Sequence, residues 1–398
     1  MTDNVNRLAA AERALRSAAS YQLPETAREV LGGRYGAESV ELLLVDYGLS
    51  VLRPVGAPEE SPEGLPVHGS AAGRAFGAQQ PFVTEDGGRV RVHLPVTARG
   101  DRLGVLSVTL PPGARPDDDL AELAAVAQVL GHEVVVAEHA TDRYHTARRE
   151  DRLTLAAEMQ WQLLPGRSCA GPEFALGAQL EPAYAVFGDN FDWSTSADRL
   201  LLYVTDGMGD GIEASLLTSL GVNALRNARR AGLSIADQAA LAEQAVYGHY
   251  RGERYLSVLL VDLELSTGRV QVVEAGSPRI LRLREGNVTP IVPEAQLPLG
   301  MFEETDYVAQ EFLLEPGDRL LFVSDGVHAV AGPGGEAYGE RALARAITAT
   351  RLVPAADVPA ADVPAAVLRE LSGHRGSPEP DDDALVVCLD WFGQGAAT

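Results

Sequence analysis

Residues 199–219 read RLLLYVTDGMGDGIEASLLTS. The apolar run Leu200, Leu201, Leu202, Tyr203 and Val204 has the length of a buried strand, and it stops abruptly at Thr205-Asp206-Gly207-Met208-Gly209-Asp210-Gly211. Beyond the third glycine, Ile212, Ser215, Leu216 and Leu220 recur at helical spacing, so the loop joins a core strand to a helix. Glycines beside a strand-end carboxylate let backbone approach whatever that carboxylate holds. Read alone, the stretch has two explanations. Either Asp206 is a metal ligand, or the loop is a tight turn whose Asp210 caps the following helix.

The composition narrows the function classes. The chain has 398 residues, enough for two domains, and a formal net charge of −23. All 33 basic residues are Arg, so catalysis through a Lys Schiff base or a P-loop Lys is excluded. An acidic surface repels phosphate backbones, which argues against nucleic-acid binding, whereas acidic clusters hold divalent cations. Cys169 and Cys388 are too few for a disulfide framework or a Cys-based zinc site. No apolar run approaches the ~18 residues of a membrane helix, and the first 20 residues lack a signal-peptide apolar region, so the expectation is a cytoplasmic protein with no membrane partner.

Taken in order, residues 6–28 predict a helix interrupted near Pro24, and 39–45 and 49–55 a hairpin turning at Asp46-Tyr47-Gly48. A small-residue helix at 70–76 and two strands at 90–96 and 103–110 follow. This order, and above all RVHLPVTARGDRLGVLSVTL, resembles a GAF sensory domain over residues 1–140. A lone His such as His68 or His93 is more often a satisfied polar residue than a ligand. Asp117-Asp118-Asp119 then caps a long helical segment from Leu120 to about Leu164, with a near-heptad stripe at Leu120, Leu123, Val126, Leu130 and Val134. Residues 141–165 are expected as a connecting helix, and such a helix can carry a homodimer contact or simply pack on its own domains.

From residue 150 the sequence becomes specific. Ala156-Ala157-Glu158-Met159-Gln160-Trp161-Gln162-Leu163-Leu164-Pro165 is followed by Gly188-Asp189-Asn190-Phe191-Asp192 and by the Asp206 stretch. Next come Leu297-Pro298-Leu299-Gly300, then Leu314-Glu315-Pro316-Gly317-Asp318-Arg319-Leu320-Leu321-Phe322-Val323-Ser324-Asp325-Gly326-Val327, and last Asp381-Asp382-Asp383-Ala384-Leu385-Val386-Val387. Asp206 and Asp325 each follow an apolar strand and precede glycine, while Asp381-Asp382 opens a strand. Parallel placement at strand ends would bring these carboxylates to one edge of a sheet. Packed acids repel unless cations neutralise them, and hard divalent ions prefer carboxylate, carbonyl and water oxygens.

In their order these segments resemble the bacterial PP2C-like serine phosphatases of the SpoIIE/RsbU family, whose motifs run A-x-x-x-Q-x-x-L-L-P, G-G-D-[FW]-Y-D, G-D-V-S-G-[HK]-G, L-P-L-G, L-x-P-G-D-x-L-L-L-Y-T-D-G-V and D-D-x-T-L-L-V. The resemblance implies an α+β protein: a GAF-like domain, a connecting helix, and a PP2C-like α-β-β-α sandwich over 166–398. It implies two Mn2+ or Mg2+ ions. Asp206 would bridge them and the Gly207 carbonyl would complete one. Asp325 and Asp381 would bind the other, with Asp382 as the alternative, and Asp189 would hold metal-bound water. A metal-activated water would then attack a serine or threonine phosphate in line. The implied partner is a phosphorylated regulatory protein, typically an anti-sigma-factor antagonist. Phe187, Asp210, Ser277 and Ala384 depart from the family pattern without removing a proposed ligand. A pseudophosphatase that binds its partner without turnover, or a ligand-sensing scaffold, are the alternatives. Residues 353–366 repeat P-A-A-D-V and predict a surface loop.

Overall fold

The computed structural model describes residues 2–56, 64–114, 116–182, 184, 188–276, 278–330, 338–350, 359–375 and 382–394. The chain divides into two units, Met1–Arg152 and Leu153–Thr398.

The first unit runs α1 (Thr2–Ser17), α2 (Leu23–Tyr35), β1 (Ser39–Val45), β2 (Val51–Pro54), β3 (Leu65–Pro66), α3 (Ala71–Ala78), β4 (Phe82–Asp86), β5 (Arg89–Ala98), β6 (Asp101–Leu110), α4 (Pro116–Ala137) and α5 (Arg143–Ala147). Its strands form one antiparallel sheet in the order β3-β2-β1-β6-β5-β4. Pro24 opens α2 rather than interrupting a helix, since proline fits the first turn, where its missing N–H costs nothing. The expected β1–β2 hairpin forms because buried Asp46 closes its turn, accepting the backbone N–H of Gly48, Ser50 and Val51. On one sheet face Val92, Leu94 and Val96 pack with Leu15, Leu31, Leu123, Leu130 and Val134. On the other, Ala72 and Phe76 of α3 cover Leu43, Val45 and Val105. Here His93 is buried with its Nδ1 2.8 Å from Ser107 Oγ, the satisfied polar residue that the sequence suggests.

Two expectations change. Residues 119–137 of α4 are, against the sequence expectation, long and apolar enough to cross a membrane by length and composition. In this unit Leu123, Val126, Leu130 and Val134 instead fill the core. Nor is the segment 120–164 one helix. α4 ends at Ala137, α5 is a short separate helix, and the next helix starts only at Leu155, where Thr154 caps it by accepting the Ala157 N–H at 3.1 Å. The polar stretch breaks the helix because its side chains find partners on the first unit. Arg143 pairs with Glu25 at 2.6 Å, the Tyr144 hydroxyl donates to the Ser20 carbonyl, and Arg148 donates to the Val45 carbonyl at 3.1 Å. The unbroken helix for which a dimer contact or packing on its own domains was weighed is therefore absent.

The second unit runs α6 (Leu155–Leu163), β7 (Ser168–Ala170), β8 (Phe174–Glu181), β9 (Asn190–Thr195), β10 (Arg199–Gly207), α7 (Gly211–Arg230), α8 (Ile235–Tyr250), β11 (Leu256–Glu264), β12 (Arg269–Ala275), β13 (Arg279–Arg284), β14 (Asn287–Ile291), β15 (Gln310–Leu313), β16 (Arg319–Val323), α9 (Asp325–His328), α10 (Gly339–Ala349), α11 (Val363–Arg375) and β17 (Ala384–Trp391). Two antiparallel sheets result, ordered β15-β12-β11-β10-β9 and β14-β13-β16-β17-β8-β7. Alternation along each strand decides what covers each face. Leu256, Val258 and Leu260 pack under Leu217 and Leu225 of α7 and Ile235, Ala239 and Val246 of α8. Leu321, Val323 and Val386 pack under Ile347 of α10 and Val367 and Leu371 of α11. The alternate residues, Leu259, Val261 and Leu263 in one sheet and Leu320, Phe322, Leu385 and Val387 in the other, are also buried. Each sheet has one helical cover, so these inner faces cover each other, giving helices, sheet, sheet and helices. Of the 353–366 repeat, residues 353–358 lie outside the described residues, and Val363 begins α11 with its side chain buried rather than in a surface loop.

Candidate metal centre

The strand pairing fixes where the carboxylates meet. β10 pairs antiparallel with β9 as far as Thr205 opposite Asn190, so Asp206 and Asp189 are the next step of the same ladder. β16 pairs with β17 as far as Val323 opposite Val386, and Asp325 and Asp383 flank that end. In antiparallel neighbours the end of one strand lies beside the start of the next. The acids therefore come together from two sheets, not along one edge of parallel strands as the sequence suggested.

Asp383 closes the gap between the sheets. Its Oδ2 accepts the backbone N–H of Gly188 at 2.8 Å and of Asp189 at 3.1 Å, and the residue is 1% exposed. Asp189 is held from the other side by Gln160 of α6, whose Nε2 donates to the Asp189 carbonyl at 3.0 Å while its Oε1 accepts from Asn190 Nδ2 at 3.2 Å. This is the physical role of the glutamine in the leading helix. Close backbone approach explains the glycines. The Gly207 N–H donates to the Gly188 carbonyl at 3.2 Å, and Thr218 Oγ1 donates to the same carbonyl at 2.8 Å. A Cβ on Gly207 would stand 2.3 Å from Thr218 Oγ1, and one on Gly326 only 1.8 Å from the Asp383 carbonyl.

The electrostatics follow from this crowding. The Asp189 carboxyl is pushed well above the usual carboxylate range, first by burial, then by Asp206 and Asp383 and to a lesser extent Asp325, against a hydrogen bond from Ser324. Its Oδ2 is buried with no hydrogen-bond partner. The Asp382 carboxyl is also raised, by loss of solvent and by Asp325, against the Asp383 backbone N–H that it accepts at 2.8 Å. Asp206 and Asp325 are half-buried. Among the described residues no three His, Cys, Asp or Glu side chains converge tightly enough to hold an ion by themselves. Asp381 lies outside the described residues, as do Phe187 and Ser277. The donor set is all hard oxygen, and an orphaned carboxylate oxygen among repelling acids is what a divalent cation relieves, so the residues present fit Mg2+ or Mn2+.

The structure thus brings Asp189, Asp206, Gly207, Asp325 and Asp382 to one end of the unit and adds Asp383, which the sequence left as a filler in its motif. The signal was present in the run of three acids ahead of an apolar strand, but strand register alone decides which acid turns inward. Asp210 occupies the N-cap position of α7 with extended backbone, yet its side chain is exposed and makes no capping hydrogen bond, so the capping role weighed for it does not hold. Two supporting residues also went unread. Buried Glu243 of α8 accepts the N–H of Gly300 at 2.5 Å and of Phe302 at 3.0 Å and the Tyr307 hydroxyl at 2.9 Å, fixing the Leu-Pro-Leu-Gly loop. Asp192 sits between Arg226 at 2.7 Å and Arg229 at 2.9 Å, tying β9 to α7.

Two packed antiparallel sheets under helix pairs, with an acidic centre at one end, are the architecture of a PP2C-type domain. Residues 196–392, most of the second unit, match the family model described as Stage II sporulation protein E (SpoIIE). The chain is 22% identical over 214 residues to the phosphoserine phosphatase RsbU of Bacillus subtilis (strain 168), covering 53% of this chain and 64% of that protein, less than two thirds of its length. Among solved structures it is similar to the SiaA-PP2C domain of Pseudomonas aeruginosa, with 21% identity and a TM-score of 0.49 over 59% of this chain and 94% of that one. It is also similar to the PP2C domain of Bacillus subtilis SpoIIE with a fragment of its regulatory domain, with 16% identity and a TM-score of 0.49 over 81% of this chain and 86% of that one.

Proposed function

We propose that the second unit is a divalent-metal-dependent phosphatase that hydrolyses phosphoserine or phosphothreonine on a regulatory protein of the anti-sigma-factor-antagonist type, with the first unit as a GAF-like sensor. The observation that carries this reading is the clustering of Asp189, Asp206, Asp325 and Asp383 at one end of the unit, with the Asp189 carboxyl raised first by burial and then by Asp206 and Asp383. Asp206, the Gly207 carbonyl and Asp325, with Asp381 or Asp382, would hold two Mn2+ or Mg2+ ions. When bound, these would supply charge neutralisation and activation of water for attack on phosphorus.

The chain's own residues do the positioning. Asp189, fixed through its backbone by Gln160 and Asp383, directs a carboxylate oxygen into the centre to orient water. Asp383 is the positioning residue, since it acts through Asp189. A thiolate route has no support: burial pushes both the Cys169 and the Cys388 thiols up, so neither is ionised near neutral pH.

Turnover of a generic aryl phosphate with Mn2+ or Mg2+, lost in Asp206→Asn and in Asp325→Asn, is the expected result. A wild type inert with either ion, including after removal of the first unit, would leave a partner-binding domain without catalysis.

A further inference from the structure

A cleft of about 590 Å³ adjoins the acidic centre, and Asp325 belongs to both. One wall is aliphatic, built by Ile280 of β13, Pro290 and Ile291 of β14, and Val292 and Pro293 just beyond, while Glu274, Arg279 and His328 also line the cleft. Val292 is 83% exposed, an aliphatic side chain left in water beside the proposed reaction centre. β14 is the edge strand of its sheet, a position that could accept another strand. Pro290, however, removes a backbone donor there, and Pro293 removes another just past the strand. The cleft is therefore suited to receiving side chains rather than to pairing backbone. A phosphopeptide is anionic and the chain carries −23, so long-range attraction does not hold the two together. The phosphate would be met by the metal centre itself, and the aliphatic wall offers short-range apolar contact to whatever flanks it.

We propose that this cleft receives the apolar side chains flanking the phosphoserine of a protein substrate, an inference that rests on the phosphatase reading above. The cleft then selects among phosphoproteins by what neighbours the phosphate, while the carboxylates act on the phosphate itself.

The test compares phosphoserine peptides whose flanking residues are Leu and Val with otherwise identical peptides flanked by Asp and Ser, using full-length protein with Mn2+. Apolar flanks should raise kcat/KM by about tenfold, the scale of one or two buried methylenes. Val292→Asp, a substitution on the surface, should erase that preference and leave aryl phosphate hydrolysis unchanged. An intact preference, or an equal loss on both substrates, overturns the proposal while leaving the phosphatase reading in place. Fluorescence anisotropy of the labelled apolar peptide on Asp206→Asn protein reads the cleft without turnover. Weaker binding when Val292→Asp is added supports the cleft even if the wild type hydrolyses nothing, whereas equal binding overturns it even if hydrolysis is intact. Were Val292→Asp to convert a dimer to a monomer with peptide binding unchanged, the occupant would be a second copy of the chain and the proposal would fail.

Discussion

The backbone N–H of Asp189 donates to the carboxylate of Asp383 at 3.1 Å, while burial, and after it the charges of Asp206 and Asp383, push the Asp189 carboxyl up. One contact thus locks the sheets together and loads the centre with charge. The two effects separate by substitution. Asp383→Asn keeps an acceptor and removes the charge, so metal-free stability should hold or rise while metal affinity and turnover fall. Asp383→Ala leaves the Gly188 and Asp189 donors buried without a partner and should lower stability by about 1–3 kcal/mol. Urea denaturation and Mn2+ titration of both variants check the contrast; equal stability losses would contradict it.

The raised Asp189 carboxyl predicts a pH dependence. Its folded pKa lies above the unfolded value of about 3.9, so the folded state binds this proton more tightly. The associated stability is fully present below that value and is lost as pH rises through the folded pKa. In chelator, the urea midpoint should therefore fall on going from about pH 4 toward neutrality. Mn2+ or Mg2+ should flatten the slope, and Asp189→Asn should abolish it. A wild-type midpoint independent of both pH and metal would contradict the crowding.

Gln160 reaches Asp189 and Asn190 from a different helix, so its loss acts on the centre without touching a carboxylate. Gln160→Ala should cost about 1–3 kcal/mol by orphaning two buried groups. It should also lower kcat for an aryl phosphate more than it raises KM, because the displaced group orients water rather than binding substrate.

In the first unit, burial holds the His93 imidazole down to about 4, with Arg91 adding to the effect. A depressed folded pKa means that the unfolded chain binds the proton more readily. Stability is therefore complete above about pH 6.5 and lost as pH falls toward 4. His93→Gln, which can still reach Ser107, should remove that acid-side slope. Denaturation midpoints between pH 4 and 7 measure it.

Much of this was legible in the chain, and what was not has physical reasons. The strand ending at Gly207 and the helix from Gly211 follow from periodicity, and the turn between them from its glycines. The choice of Asp383 as the inward acid did not follow, because three consecutive acids have no periodicity of their own. β17's pairing with β16 and β8 is what turns Asp383 inward and leaves Asp382 at the rim. Glu243 was invisible for a related reason. A lone Glu on a helix reads as solvated, and only the loop that folds over it supplies the four donors that hold it. The long helix failed in the opposite direction: an amphipathic stripe suggested continuity, but local side-chain partners on the first unit ended it.

Asp383 stands at the start of β17, far along the chain from the α6–β10 segment whose loop it clamps. During synthesis, the glycine loop, Gln160 and Asp189 all emerge long before the residue that joins them. The acidic centre therefore cannot assemble on the ribosome as a growing N-terminal piece. It needs β17, and a protein cut short before residue 383 would lose both the clamp and the strand that joins β16 to β8.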